Sequence, residues 1–274
     1  MKLPLVSVIV RTCERPGILK YALKSIENQD YPNIEIVVIE DGANLAESLI
    51  KAEFSHLNII YSATKAHVGR SCAGNIGLSM ARGKYINFLD DDDLFYSNHI
   101  STLVSALEEH SEKAAYSVAK ECRVRKIKSA PYYLNCGKKV RLNQPFNKAL
   151  LSNKNYLPIQ CVMFSKLLFE KLGGFDSALD QLEDWDLWVR YSMKTDFYYV
   201  NKVTSEYKVP VWGLKNRKRQ RELDNAYIEV CNKFQKYQYC SDTYSLNRDI
   251  AYILSEYRIP LYLRCLRYMK NKLL

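Results

Sequence analysis

A chain of 274 residues, 47% hydrophobic and 26% charged, suits one large domain or two small ones and is too apolar for a disordered protein. No stretch approaches the roughly 20 apolar residues that span a bilayer, and the start, running straight into 6–10, lacks the ordered regions of a signal peptide. The net charge of +10 is uneven: residues 113–154 hold eleven Lys or Arg against one acid, Glu121, so an anionic partner or a solvated basic surface is expected.

Eight cysteines form no CxxC pair and have no His at zinc-ligand spacing, so reduced packing thiols and a cytoplasmic setting are expected. Residues 6–10 form a β-branched run of the kind that fills a buried parallel strand. A loop with its turn at Pro16-Gly17 leads into a helix through Leu19, Leu23 and Ile26, which Tyr31-Pro32 stops. A second buried strand, 34–39, ends in Glu40-Asp41-Gly42, and a weak strand covers 58–61. A helix within 69–83, a strand over 84–89 and an amphipathic helix over 98–110 follow. Strands alternating with helices predict a doubly wound, mainly parallel α/β sheet. Beyond it come a strand over 115–124, a long basic surface excursion to 154, a helix at 183–193, a strand over 197–209, and two helices from about 215, broken near 239–243.

Four consecutive carboxylates, Asp90, Asp91, Asp92 and Asp93, end an apolar strand. Crowded carboxylates take up protons or hold a cation. A hard ion such as Mg²⁺ uses one or two carboxylates and completes its shell with phosphate oxygens and water. The cluster therefore reads as a metal-diphosphate seat, where open α/β sheets place ligands, with a solvated acidic loop as the alternative. Asp41, also at a strand end, can accept hydrogen bonds from a base or ribose, or be a turn residue before Gly42. Gly69 and Gly74 have P-loop spacing, but Asn75-Ile76 stands where Lys-Ser/Thr would grip phosphates, so that reading is rejected. Glu183 and Asp184 open a helix, where the dipole favours ionised carboxylates; one can be a general base, or both can be an acidic cap.

Together the segments VSVIVRTCERP, IEIVVIEDGA, GRSCAGNIGLSMARGKYINFLDDDD and GGFDSALDQLEDWDLWVRYS resemble, in order and spacing, the family-two inverting glycosyltransferases with a GT-A fold. Residues 113–156 and everything after Tyr207 lie outside the resemblance, and 213–274 reads as a basic helical C-terminal extension. The resemblance implies a nucleotide-sugar-binding half at 1–112 and an acceptor-binding and catalytic-base half at 113–212. It implies that Thr12 and Arg15 line the nucleotide pocket, with Asp41 on the base and Asp90 on the ribose side. Arg70, Asn75 and Asp91 are expected on the donor side, with Asp92 on Mn²⁺ or Mg²⁺. Asp184 would be the catalytic base, with Glu183 as the fallback, and Gln160 and Trp185 would lie on the acceptor side. Where many relatives carry a His after a Tyr-Arg/Lys-Val segment, Tyr207-Lys208-Val209 is followed by Pro210.

The implied partners are a nucleoside-diphosphate sugar, UDP favoured, and a glycan or lipid-linked acceptor, with no nucleic acid. The basic, leucine- and tyrosine-rich segment 258–274 suits an interfacial helix on the inner face of an anionic membrane, or a helix packed on the domain. Two other readings are a sugar-phosphate nucleotidyltransferase and a basic nucleic-acid binder using Tyr132 and Tyr133. The first lacks a glycine-rich triphosphate loop. The second leaves the carboxylates unexplained.

Overall fold

A computed structural model describes residues 3–140, 142–211 and 217–234, with side chains up to 211 and from 221. The expected break near 239–243 and the segment 258–274 lie outside them. In chain order the elements are β1 (Val6–Thr12), α1 (Pro16–Glu27), β2 (Ile34–Glu40), α2 (Glu47–Glu53), β3 (Ile59–Ala63), α3 (Arg70–Met80), β4 (Tyr85–Asp90), β5 (Leu94–Phe95) and α4 (His99–Glu109). Then come β6 (Ala114–Lys126), β7 (Tyr133–Val140), α5 (Lys148–Leu151), a 3-10 turn (Ile159–Cys161), β8 (Val162–Ser165), α6 (Lys166–Leu172), α7 (Glu183–Ser192), β9 (Phe197–Pro210) and α8 (Arg217–Phe234).

The strands make one α/β sheet in the order β3-β2-β1-β4-β8-β6-β9-β5, with β7 on the side of β6. β1 to β4 pair in parallel, as their buried β-branched runs predict. The period of two sorts their side chains. Ile9, Val37, Ile39, Ile86 and Phe88 face one core with α3 and α7; Val6, Val8, Val10, Val38 and Leu89 face the other with α1 and α4. The glycines of the 69–77 segment serve the first face. A Cβ at Gly77 would lie 2.4 Å from Ile9 Cγ2, and one at Gly74 would lie 2.6 Å from the Phe175 ring, so α3 rides closer to the sheet than any side chain would allow.

The strand expected over 115–124 is present, and the surface excursion expected from there to 154 is corrected in part. β6 runs through Lys126 and turns back as β7. The return strand was hidden because β7 is exposed along nearly its whole length and carries Lys138 and Lys139, while in β6 Cys122 and Val124 face inward. Among the described residues no helix is long and apolar enough to cross a membrane.

Candidate active site

The parallel strands β1, β2 and β4 all end at one rim of the sheet. The register sets Arg11 of β1 abreast of Asp90 of β4, both on the α3/α7 face. Arg11 is 6% exposed and lies between the rings of Phe88 and Phe175, 5.6 and 5.5 Å from their centroids. Its Nε and Nη2 donate to Asp90 Oδ1 at 3.0 and 2.7 Å, and its Nη1 donates to Glu183 Oε1 at 2.9 Å. One guanidinium thus joins the aspartate loop to the start of α7. Burial pulls the Arg11 pKa down, but Asp90 and Glu183 outweigh it and leave the guanidinium more firmly protonated than usual.

The four aspartates have four environments. Burial alone would raise the Asp90 carboxyl; Arg11, with Arg70 behind it, reverses this and holds it below the usual carboxylate range. Asp91 points to the opposite face and is fully buried. Thr12 Oγ1 donates to its Oδ2 at 2.6 Å, Arg15 Nε donates to the same oxygen at 3.0 Å, and Arg15 Nη2 meets Oδ1. Burial pushes Asp91 up to about 7 against the pull of Arg15. Asp93 accepts from the Lys208 backbone N–H at 2.9 Å, and burial, helped by Asp92 and Asp90, holds its carboxyl well above the usual range. Asp92 is 29% exposed; Tyr133 donates to its Oδ2 at 3.2 Å and Arg15 Nη1 stands 3.8 Å away.

On the other wall, Glu183 and Asp184 open α7 after Leu182, which adopts the left-handed conformation at φ 58°. Glu183 is 2% exposed and committed to Arg11, with Arg70 Nη1 at 3.6 Å. Asp184 is half-buried. It accepts from Asn155 Nδ2 at 3.0 Å and from the Trp185 backbone N–H at 2.8 Å. Burial first, and the charge of Glu183 second, push its carboxyl up to about 7. A carboxylate so raised is a stronger base than a solvated one while still ionising near neutrality. The Gly173–Gly174 loop beneath is pinned by Arg190, whose Nη1 and Nη2 donate to Leu172 O at 3.0 Å and Gly174 O at 2.5 Å.

Thr12, Arg15, Arg70, Asp90, Asp91, Asp92, Glu183 and Asp184 therefore converge on one cleft. Asp41 closes a loop at its edge, accepting from Val68 N at 2.7 Å, Gly69 N at 3.0 Å and Thr64 Oγ1 at 3.2 Å, with His67 Nδ1 at 2.6 Å. Glu40 faces the other way, as alternation requires, and caps Leu45 N and Ala46 N. Asn75 is engaged at both ends of its amide by the Phe175 backbone, at 2.9 and 2.8 Å. Gln160 and Trp185 are each 1% exposed. Trp185 donates to Leu151 O at 2.6 Å and stacks on Tyr227, while Gln160 Nε2 has no hydrogen-bond partner among the described residues.

Sequence reasoning missed Arg11 as the centre of the cleft. The signal was available in its parity with Ile9, which turns it toward α7. It also missed Asn155, Tyr133 and the Lys208 side chain, which come from segments with no periodicity pointing at the cleft.

Among the described residues no three His, Cys, Asp or Glu are grouped to hold a metal ion by themselves. Asp92 is nonetheless a suitable single ligand. It is more exposed than Asp90 or Asp91, and its arginine contact, Arg15 Nη1 at 3.8 Å, is longer than those that close the other two. A hard divalent ion that takes one carboxylate and completes its shell with diphosphate oxygens and water fits this donor set.

Residues 7–173 match the family model described as glycosyl transferase family 2. An uncharacterized glycosyltransferase, RP339, of Rickettsia prowazekii is 25% identical over 265 residues, covering 92% of this chain and 80% of the relative. Two solved structures share the fold. One is S. aureus TarS 1–349 in complex with UDP-GlcNAc, with a TM-score of 0.62, 17% identity and coverage of 76% of this chain and 60% of that one. The other is the mannosyltransferase PcManGT of Pyrobaculum calidifontis with GDP-Man and Mn²⁺, with a TM-score of 0.59, 19% identity and coverage of 81% and 61%. The chain thus spans less than two thirds of either solved relative.

Proposed function

The chain belongs to glycosyl transferase family 2, and from that premise we propose that this GT-A glycosyltransferase is an inverting, metal-dependent enzyme. It moves a sugar from a nucleoside diphosphate, UDP favoured, to a hydroxyl of a glycan or lipid-linked acceptor. The observation that carries this reading is the Arg11 bridge from Asp90 to Glu183. It supports the reading of Asp90 to Asp92 as a diphosphate seat sharing one cleft with a base, Asp184, of raised pKa. The donors bound by TarS and PcManGT support a nucleotide sugar, and the second supports the metal.

Thr12 and Arg15 bound the nucleotide pocket beneath the β1 end. Asp41, through its hold on the 64–69 loop, shapes the base side. Asp90, Asp91 and Arg70 fix the ribose and diphosphate side, and Asn75 sets the Phe175 loop behind it. Asp92 would hold Mn²⁺ or Mg²⁺, which when bound would supply Lewis-acid stabilisation of the negative charge on the departing diphosphate. Asp184 takes the acceptor hydroxyl proton as the new C–O bond forms and the bond from the anomeric carbon to the phosphate oxygen breaks. One base suffices, because a diphosphate leaves without needing a proton; a sugar-oxygen leaving group in glycoside hydrolysis also needs an acid. Glu183, neutralised by Arg11, is the weaker candidate for the base. Gln160 and Trp185 support the acceptor side from beneath. A seat at the inner membrane face rests on residues 258–274, outside the described structure.

The test is Asp184→Asn. UDP release from UDP-GlcNAc falls about a hundredfold or more, in line with the loss of a general base. UDP binding by calorimetry with Mn²⁺ stays within about twofold, since Asp184 does not touch the nucleotide in this reading. Parallel loss of both would remove Asp184 from the role of base. Thermal shifts with UDP, GDP, dTDP and CDP, each with and without Mn²⁺, identify the base, since a ligand at a hundred times its Kd adds about 2.7 kcal/mol.

A further inference from the structure

The β6–β7 hairpin does not stand free of the cleft. Its strands pair from Lys120 opposite Val140 to Lys126 opposite Tyr133. Its tip is closed by Tyr132 N donating to Ser129 O and Ile127 N donating to Tyr132 O, each at 2.8 Å. The tip is docked on the start of α1. The Tyr132 ring meets Tyr21 edge-on at 6.4 Å and lies so close to Gly17 that a Cβ there would be 2.3 Å from its hydroxyl. The next residue turns into the cleft, and Tyr133 donates to Asp92 Oδ2 at 3.2 Å. From β9, the Lys208 ammonium bonds the Asp92 carbonyl and stands 5.7 Å over the Tyr133 ring. Consecutive tyrosines thus hold a donor-side helix and the most accessible aspartate of the loop.

We propose that this hairpin is a strap across the donor site and that Tyr133 is a positioning residue that sets the Asp92 carboxylate for the metal-diphosphate; the inference rests on the donor-site reading above. A half-exposed aspartate can turn about its side-chain bonds. A hydroxyl fixed on Oδ2 leaves Oδ1 presented toward the incoming ion in one orientation, so less ordering remains when the donor binds. Partners that orient a metal-binding carboxylate are typically worth 10- to 100-fold in metal affinity. The tip of the strap is held on two sides, since Tyr132 locks it to α1 and Lys208 reaches over the Tyr133 ring from β9.

The test is a Mn²⁺ titration of UDP binding, followed by thermal shift and calorimetry, in the unaltered chain, in Tyr133→Phe and in Tyr132→Ala. Tyr133→Phe raises the Mn²⁺ concentration for half-maximal effect by about tenfold. It leaves UDP binding without Mn²⁺, and the melting temperature without ligand, unchanged. Tyr132→Ala, which loosens the anchor and keeps the Tyr133 hydroxyl, moves the Mn²⁺ midpoint in the same direction. An unmoved midpoint in Tyr133→Phe overturns the inference, whatever happens to the melting temperature. If the unaltered chain shows no Mn²⁺-dependent UDP binding, the donor-site reading falls and this inference falls with it.

Discussion

Asp184 sits where catalysis and stability pull apart. Its carboxyl ordinarily loses its proton near 3.8 and in the fold does so near 7, because burial and Glu183 oppose the charge. A raised carboxyl contributes stability that is full below 3.8 and is lost as pH rises through about 7. Asp184→Asn, which never ionises, therefore melts progressively higher than the unaltered chain as pH rises above about 4. The gap is complete above about 7 and amounts to a few degrees, read by calorimetry at pH 4, 6 and 8. Turnover of the unaltered chain runs the other way, rising with pH through about 7 as the base deprotonates. Arg11→Met removes the closest cation from Asp90 and leaves Glu183 with only Arg70, 3.6 Å away, and costs about 3–5 kcal/mol in urea unfolding. The aspartate run and the acidic helix start were legible because like charges in a row have few physical outlets. Arg11 was not, since an arginine closing an apolar strand reads as the beginning of a loop until its neighbours in space are known.

The regular elements of the first half were legible for a similar reason. Val6, Val8 and Val10 alternate with Ile9 in a sheet buried on both sides, so apolar residues fill most positions and a single buried polar residue, Ser7, does not break the run. The body of β6 was legible as a strand over 115–124, but its end and the return strand β7 were not, because their exposed positions carry Arg123, Arg125, Lys126, Lys138 and Lys139, which mask a strand as a charged run. α8 was visible as a helix, yet only the fold shows what it covers. Ala226, Val230 and Phe234 are buried, Tyr227 stacks on Trp185, and Lys233 Nζ stands 2.7 Å from Asp176 and 2.6 Å from the fully buried Asp186. Lys233→Met removes one of the two cations among the described residues that hold Asp186, the other being Arg190 at 2.8 Å. The expected loss is about 1–3 kcal/mol, measured by thermal or urea unfolding. Donor binding should be nearly unaffected, since α8 docks on the side of α7 away from the aspartate loop.

At the scale of the molecule, the division of labour between 1–112 and 113–212 remains a proposal about task, while the hydrogen bonding runs straight across it. β4 pairs with β8, β8 with β6, and β5 reaches over to β9. Urea unfolding followed by tryptophan fluorescence and by far-UV circular dichroism should give coincident transitions, because one continuous sheet joins the halves through β8 and through the β5–β9 pair. The same strand order also makes the chain divisible. A single cut in the 142–147 connection, after β7, would assign β1 to β7 to one fragment and β8 and β9 to the other. Across the sheet the pieces would then alternate: β4 from the first, β8 from the second, β6 from the first, β9 from the second, β5 from the first. Two such polypeptides would be interleaved like the fingers of clasped hands. A nicked molecule should stay together through gel filtration and come apart only in denaturant, and fragments expressed separately should be able to find one another and rebuild the cleft.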